Sequence, residues 1–241
     1  MGGAPRFIME CKSASPSLGM IREQYHPGDL ARIYSRLAAG ISVLCEPDRF
    51  RGDYDHLTTV ASSTHLPVLC KDFIIDEAQV YAARYFGADA ILLMLSILDD
   101  ATYRQLAGLA DRLGLDVLTE AISAEEMARA RALGAKIVGI NHRNLHDLSI
   151  DLTRSAELNR LAPENAVVIA ESGIRDNATV RRLVDAADAG DEPGGRRCSW
   201  SSSRFAGGRS TTERHQRVPG RLPADEPAGR GSRGQKPRLR G

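Results

Sequence analysis

Long apolar runs are missing from this chain. No stretch of about 18 apolar residues occurs, and the segment from Met1 to Pro5 has none of the apolar character of a signal sequence. Neither a membrane span nor secretion is expected, so the cytoplasm is the default location. Cysteine is scarce as well. Cys11, Cys45, Cys70 and Cys198 lie far apart with no C-x-x-C pair, and three of them fall in apolar strand-like runs. Free thiols in such runs act as small hydrophobes, so no disulfide and no structural zinc are expected. A glycine-rich G-x-G-x-x-G turn is also absent after the first strand-like run, which argues against a dinucleotide fold.

Charge of either sign is present but unevenly spread. The formal charge of +1 over 241 residues conceals 20 Lys+Arg against 26 Asp+Glu in residues 1–188, and 12 against 5 in residues 189–241. The second stretch is rich in Arg, Gly, Pro and Ser and shows neither strand alternation nor a helical stripe. Its composition cannot bury enough surface to offset the entropy of ordering, so it is expected to be a disordered tail. A basic tail of this kind can bind nucleic acid nonspecifically through counterion release. It offers only Trp200 and Phe205 as stacking partners, so no specific nucleic-acid partner is expected.

Residues 1–188 are ordered by a repeating pattern. Apolar runs at 6–12, 41–45, 67–71, 90–94, 116–120, 136–141 and 166–172 alternate with segments of helical periodicity at 29–39, 57–64, 76–86, 99–113, 123–133, 151–161 and 176–187. Asp29, Asp76, Asp99 and Asp151 stand as N-caps, and Ser123 with Glu126 forms a capping-box signature. Gly87, Gly114 and Gly134 stand where helix C-caps belong. Steps of roughly 21 to 35 residues between strand ends imply parallel strands with crossover helices. Charged or amide residues end at least five of these strands, which favours a closed (β/α)8 barrel over an open doubly wound sheet. Seven βα units are recognisable, so the expected fold is an incomplete α/β TIM barrel.

The strand ends hold the chemistry. Glu10 and Lys12 are two residues apart, so in a strand they share a face before Pro16 breaks the run. Lys71, Glu120, Asn141, Arg143, Glu171 and Ser172 close later strands. Opposed carboxylates and ammonium groups over a barrel mouth shift one another's pKa values, so an acid and a base can coexist near neutral pH. A lysine there can alternatively form a Schiff base. Backbone N–H groups of Ser172 and Gly173, between a strand and a helix, can hold a phosphate. Two metal-like patterns are weaker: Asp53-Tyr54-Asp55-His56 reads as a polar connection, and His142 and His146 are four apart but follow a strand end, in a loop. No metal is expected.

Taken in order, these residues resemble indole-3-glycerol phosphate synthase, the barrel enzyme of tryptophan biosynthesis. The matching motifs are Glu10-Cys11-Lys12-x-Ala14-Ser15-Pro16-Ser17, Cys70-Lys71-Asp72-Phe73-Ile74-Ile75-Asp76, Leu92-Leu93-Met94, Leu118-Thr119-Glu120, Gly139-Ile140-Asn141-x-Arg143-x-Leu145 and Glu171-Ser172-Gly173-Ile174. The resemblance covers about residues 6–188 and is nearest to bacterial forms often fused to phosphoribosylanthranilate isomerase. It implies a carboxy-lyase that converts 1-(2-carboxyphenylamino)-1-deoxyribulose 5-phosphate to indole-3-glycerol phosphate without metal or organic cofactor. By position, it makes Lys71 the general acid at the ribulose carbonyl and Lys12 a holder of substrate carboxylate and phosphate charge. Glu120 becomes the proton-transfer partner, with Glu10 and Asn141 completing the polar site. Phe50, Phe73 and Leu93 are assigned to the aromatic ring, Ser15, Ser172 and Gly173 to the phosphate, and Arg143 and Glu171 to further substrate contacts.

The sequence departs from that family at both ends. The family's helical N-terminal extension is not seen before residue 6, and nothing in residues 189–241 matches its eighth strand with a Gly-Ser phosphate motif. Out-of-frame translation of a GC-rich gene produces such an Arg/Gly/Pro/Ser mixture, so a frameshift near residue 189 is expected. Poor solubility and little synthase activity would then follow for the chain as written. Two alternatives remain open on sequence alone: an inactive barrel remnant with a basic, nucleic-acid-sticky tail, and another phosphate-binding barrel enzyme.

Overall fold

A computed structural model describes residues 6–144 and 148–188. The expectations for the 189–241 tail, for Cys198, Trp200 and Phe205, and for Leu145 and His146 lie outside the described residues. Seven strands form one sheet: β1 (Ile8–Cys11), β4 (Gly40–Leu44), β5 (Val68–Lys71), β6 (Ala90–Met94), β7 (Asp116–Ala121), β8 (Ile137–Asn141) and β9 (Val167–Glu171). A two-stranded ribbon, β2 (Ala14–Ser15) with β3 (Gly19–Met20), projects after β1. In the main sheet every strand pairs in parallel with the next in chain order. This connectivity needs a crossover after each strand, and helices supply it.

Those helices are α1 (Pro27–Tyr34), α2 (Pro47–Phe50), α3 (Tyr54–Ser63), α4 (Glu77–Tyr85), α5 (Asp100–Arg112), α6 (Ala124–Ala132), α7 (Arg154–Leu161) and α8 (Asn177–Asp188). The sequence caps hold at three of them. Asp76 accepts from Ala78 N–H in a capping box with Gln79, Asp99 from Thr102 N–H, and Ser123 from Glu126 N–H. Two differ. Helix α1 starts earlier, behind His26, because Pro27 supplies the fixed φ of a first helical residue, and Asp29 pairs with Arg32 instead. Helix α7 starts later, because the Asp151 carboxylate accepts from both the Thr153 N–H and hydroxyl and closes a local turn first.

The 53–56 stretch is likewise a helix start and not an open connection. Asp53 caps α3 by accepting from Asp55 N–H, and His56 packs edge-on against Tyr25 at 5.0 Å. Each strand puts alternate side chains on opposite faces. The outer face, with Cys11, Val43, Cys70, Ile91, Leu93, Val138 and Ile140, packs against α-helical residues such as Leu57, Val80, Leu106 and Met127 in one buried core. Cys11, Cys45 and Cys70 are free, buried thiols, and burial pushes the Cys11 thiol up to about 12. The inner face carries a smaller cluster, Leu69, Leu92, Met94, Leu118 and Ile137, beneath the polar strand ends.

Candidate active site

The curl of the sheet is visible in one side chain. Lys71, at the end of β5, reaches Glu10 on β1 at 3.3 Å and Glu171 on β9 at 3.0 Å. Neither strand is its neighbour, and β9 is four places away, so the sheet must wrap to bring the three together. Lys12 pairs with the other oxygen of Glu10. These groups stand over a cavity of about 980 Å³, lined also by Ser15, Phe50, Phe73, Glu120, Asn141, Arg143, Ser172 and Gly173. Twelve of the thirteen residues singled out from the sequence therefore converge on one space.

Leu93 is the exception and the assignment is corrected. It is wholly buried among the outer-face residues, while Leu92 and Met94 line the cavity. The register explains it: Met94 lies beside Glu120 and Leu92 beside Leu118, so Leu93 points with Thr119 to the outer layer. Thr119 itself is tied there by the Tyr103 hydroxyl at 2.6 Å. The floor of the cavity is thus Leu92, Met94 and Leu118, and Phe50 and Phe73 meet at its rim with ring centroids 6.4 Å apart. Phe50 is held by a residue not anticipated from sequence. The Glu46 carboxylate accepts from Asp48, Arg49 and Phe50 N–H, fixing α2 at the mouth.

The electrostatics divide the carboxylates. Burial works to raise Glu10, but the charges of Lys71 and Lys12 outweigh it and bring it down to about 2. Burial raises Glu120 to about 7, assisted by the nearby Glu171 charge and opposed by Lys71 and by hydrogen bonding from Asn141. Lys71 is raised: burial alone would lower it, and Glu171, Glu10 and Glu120 reverse the sign. The mouth therefore holds a firmly protonated ammonium, a firmly ionised carboxylate and a carboxyl that titrates near neutrality. One oxygen each of Glu120 and Glu171 is buried with no hydrogen-bond partner among the described residues, and such groups await a donor.

Asn141 is fixed by two donors on one oxygen, the Ser172 hydroxyl at 2.9 Å and the Arg143 N–H at 3.0 Å. The Arg143 guanidinium donates to Leu148 O at 2.9 Å. Ser172 and Gly173 turn the chain with φ of 67° and 76°. No group of three or more His, Cys, Asp or Glu suited to a metal occurs among the described residues.

Gly139, in the middle of β8, explains how Glu171 fits. A Cβ built on it would collide with the Glu171 carboxylate. Gly139→Ala is therefore expected to push Glu171 away from Lys71 and lower kcat by roughly tenfold or more, with the secondary structure unchanged by circular dichroism. A wild-type rate in that variant would show that the Glu171–Lys71 contact is dispensable.

A family model for indole-3-glycerol phosphate synthase matches residues 2–190. The chain belongs to the indole-3-glycerol phosphate synthase family. Its fold is accordingly that family's (β/α)8 barrel, of which the described residues supply seven strands. The "Tryptophan biosynthesis protein TrpCF" of Corynebacterium glutamicum is 72% identical over 181 residues, covering 75% of this chain and 38% of that protein. The protein of the same name from Yersinia pestis is 53% identical over 182 residues, with coverage of 76% and 38%. The chain thus spans 38% of the length of these two curated relatives. Among solved structures, an N-acetylmannosamine-6-phosphate 2-epimerase from Clostridium perfringens aligns with a TM-score of 0.58 at 15% identity, over 79% of this chain and 83% of that one. At that identity the likeness concerns the fold alone.

Proposed function

We propose that this chain catalyses the synthase reaction of its family: ring closure of 1-(2-carboxyphenylamino)-1-deoxyribulose 5-phosphate with loss of carbon dioxide and water. The observation that carries the proposal is the Lys71 ammonium, held between Glu10 and Glu171 beside a Glu120 that titrates near 7, above an apolar floor. The substrate has an aromatic ring, a carbonyl and a phosphate. Phe50, Phe73, Leu92 and Leu118 suit the ring, Lys71 donates to the carbonyl oxygen as the carbon–carbon bond forms, and Lys12 balances anionic charge. Ser15 and the N–H groups of the Ser172–Gly173 turn face the phosphate end. Ring closure places a proton on the former carbonyl oxygen, decarboxylation leaves the electron pair in the ring, and dehydration expels the hydroxyl as water. Glu120 is suited to that last transfer, since a carboxyl near 7 both gives and takes a proton at neutral pH.

Residues 1–188 form the synthase domain in this proposal, acting in the cytoplasm on a small phosphorylated molecule without metal or organic cofactor. The TrpCF relatives, about twice as long as this chain, support a phosphoribosylanthranilate isomerase domain in the parent protein. Fluorescence of the indole product, measured alongside binding of the carboxyphenylamino substrate, tests the assignment. Product formation is expected, at a low level for the chain as written. Failure to bind that substrate, with turnover of a different phosphosugar, would point to another phosphate-binding barrel enzyme.

A further inference from the structure

His142 follows β8 with its ring 0% exposed and lines no part of the cavity, yet it is bonded to the site at several points. Its backbone N–H donates to Glu171 O at 3.1 Å, and its carbonyl accepts from Asp151 N–H at 2.9 Å. Its ring lies between two groups: Nδ1 is 3.2 Å from the Ser172 carbonyl, and Nε2 is bonded to the Ser155 hydroxyl on α7. A carbonyl can only accept, so Nδ1 carries a proton, and in the neutral ring Nε2 accepts from the Ser155 hydroxyl.

The residue it holds is under strain. Ser172 has φ 67°, a left-handed conformation that a side chain rarely adopts and that persists only where the surroundings enforce it. In that conformation the Ser172 hydroxyl donates to Asn141 Oδ1, which the Arg143 N–H also occupies. With its oxygen held from that side, the Asn141 side chain is fixed in the wall of the cavity that Glu120 also lines.

We propose that His142 is a positioning residue, which holds the Ser172 turn from behind and thereby fixes the Asn141 side chain in the cavity wall, on the strand next to that of Glu120. The consequence for the reaction rests on the synthase assignment; the coupling from His142 to Glu120 does not. Hydrogen bonding from Asn141 lowers the Glu120 value, so releasing the turn moves Glu120 titration to higher pH. The other groups facing Glu120 are Glu171 on β9, Lys71 on β5 and Glu126 on α6, and no hydrogen bond links their side chains to the His142 ring.

The test uses His142→Asn, His142→Gln and His142→Ala in the full chain. An Asn amide stands near the place of Nδ1 and keeps a donor for the Ser172 carbonyl. A Gln amide reaches the place of Nε2 and meets Ser155 instead. His142→Asn is expected to stay within a few-fold of wild-type kcat, while His142→Gln and His142→Ala fall roughly ten- to a hundredfold. In the latter two, the limb of the pH profile near 7 shifts upward. Carboxyl-carbon NMR titration of Glu120 should show the same upward shift in Gln and Ala and none in Asn, whether or not the wild type turns over. An inactive wild type with that NMR pattern would overturn the synthase assignment and leave the positioning role standing. Unshifted Glu120 titration in His142→Gln and His142→Ala would overturn the positioning role, as would equal losses in all three variants.

Discussion

Lys71→Met is expected to abolish turnover while leaving the fold intact. Methionine is apolar and of similar length, so the cavity wall stays filled, and the backbone of residue 71 keeps its register with Leu44 and its bond to Cys45 N–H. What disappears is the only ammonium shared by Glu10 and Glu171 among the described residues. The elevated pKa of Lys71 keeps it protonated until the carbonyl oxygen becomes a stronger base, as it does when the ring closes. Loss of a positioned acid costs ~10²–10⁴-fold. A second effect follows from the same charge. Lys71 is the largest influence lowering Glu10, so Glu10 titration should move upward from about 2 in the variant. Indole fluorescence and circular dichroism check the two halves: wild-type rate would remove Lys71 from the mechanism, and a collapsed spectrum would make its role structural.

Glu120→Gln is the second large effect. Glutamine keeps the shape and a hydrogen-bonding head but cannot transfer a proton, so kcat is expected to fall ~10²-fold or more. The wild-type limb near pH 7 should vanish with it, and an unaltered pH profile would count against proton transfer by Glu120. Stability supplies an independent sign. Folding raises Glu120 from 4.5 to about 7, so its contribution to stability is fully present below pH 4.5 and is lost as pH rises through 7. Glutamine has no such slope. The variant should therefore gain melting temperature relative to wild type between pH 4.5 and 8, and a constant difference would show that Glu120 titrates normally.

Much of this arrangement is legible in the sequence because it is periodic. The strand at 90–94 is found with both bounds as expected, and Asp76, Asp99 and Ser123 cap as their spacing implies. The polar strand ends are readable because parallel βα topology leaves them at one end of the sheet. What is not legible depends on register between strands. Leu92, Leu93 and Met94 are alike as letters, and only pairing with β7 decides that Leu93 faces outward. A usable signal was present: Glu120 must face the cavity, and Met94 is its partner. Hydrogen-bond competition is equally hidden. Asp151 caps its own turn before α7 starts, and Glu46 gathers three N–H groups for a four-residue helix too short to show periodicity. His142 reads as a loop histidine until β9 and α7 close around it. The elevated pKa of Glu120 needs burial and the Glu171 charge from another strand, neither of which is local in sequence.

The central claim is that the groups around Lys71 close an indole ring. It is tested most directly by a single-turnover experiment, with the chain in excess over 1-(2-carboxyphenylamino)-1-deoxyribulose 5-phosphate so that phosphate affinity does not limit the result. The wild-type chain is expected to develop indole fluorescence and Lys71→Met, folded and at the same concentration, to develop none. No product from the wild type, or equal product from both, would contradict the account.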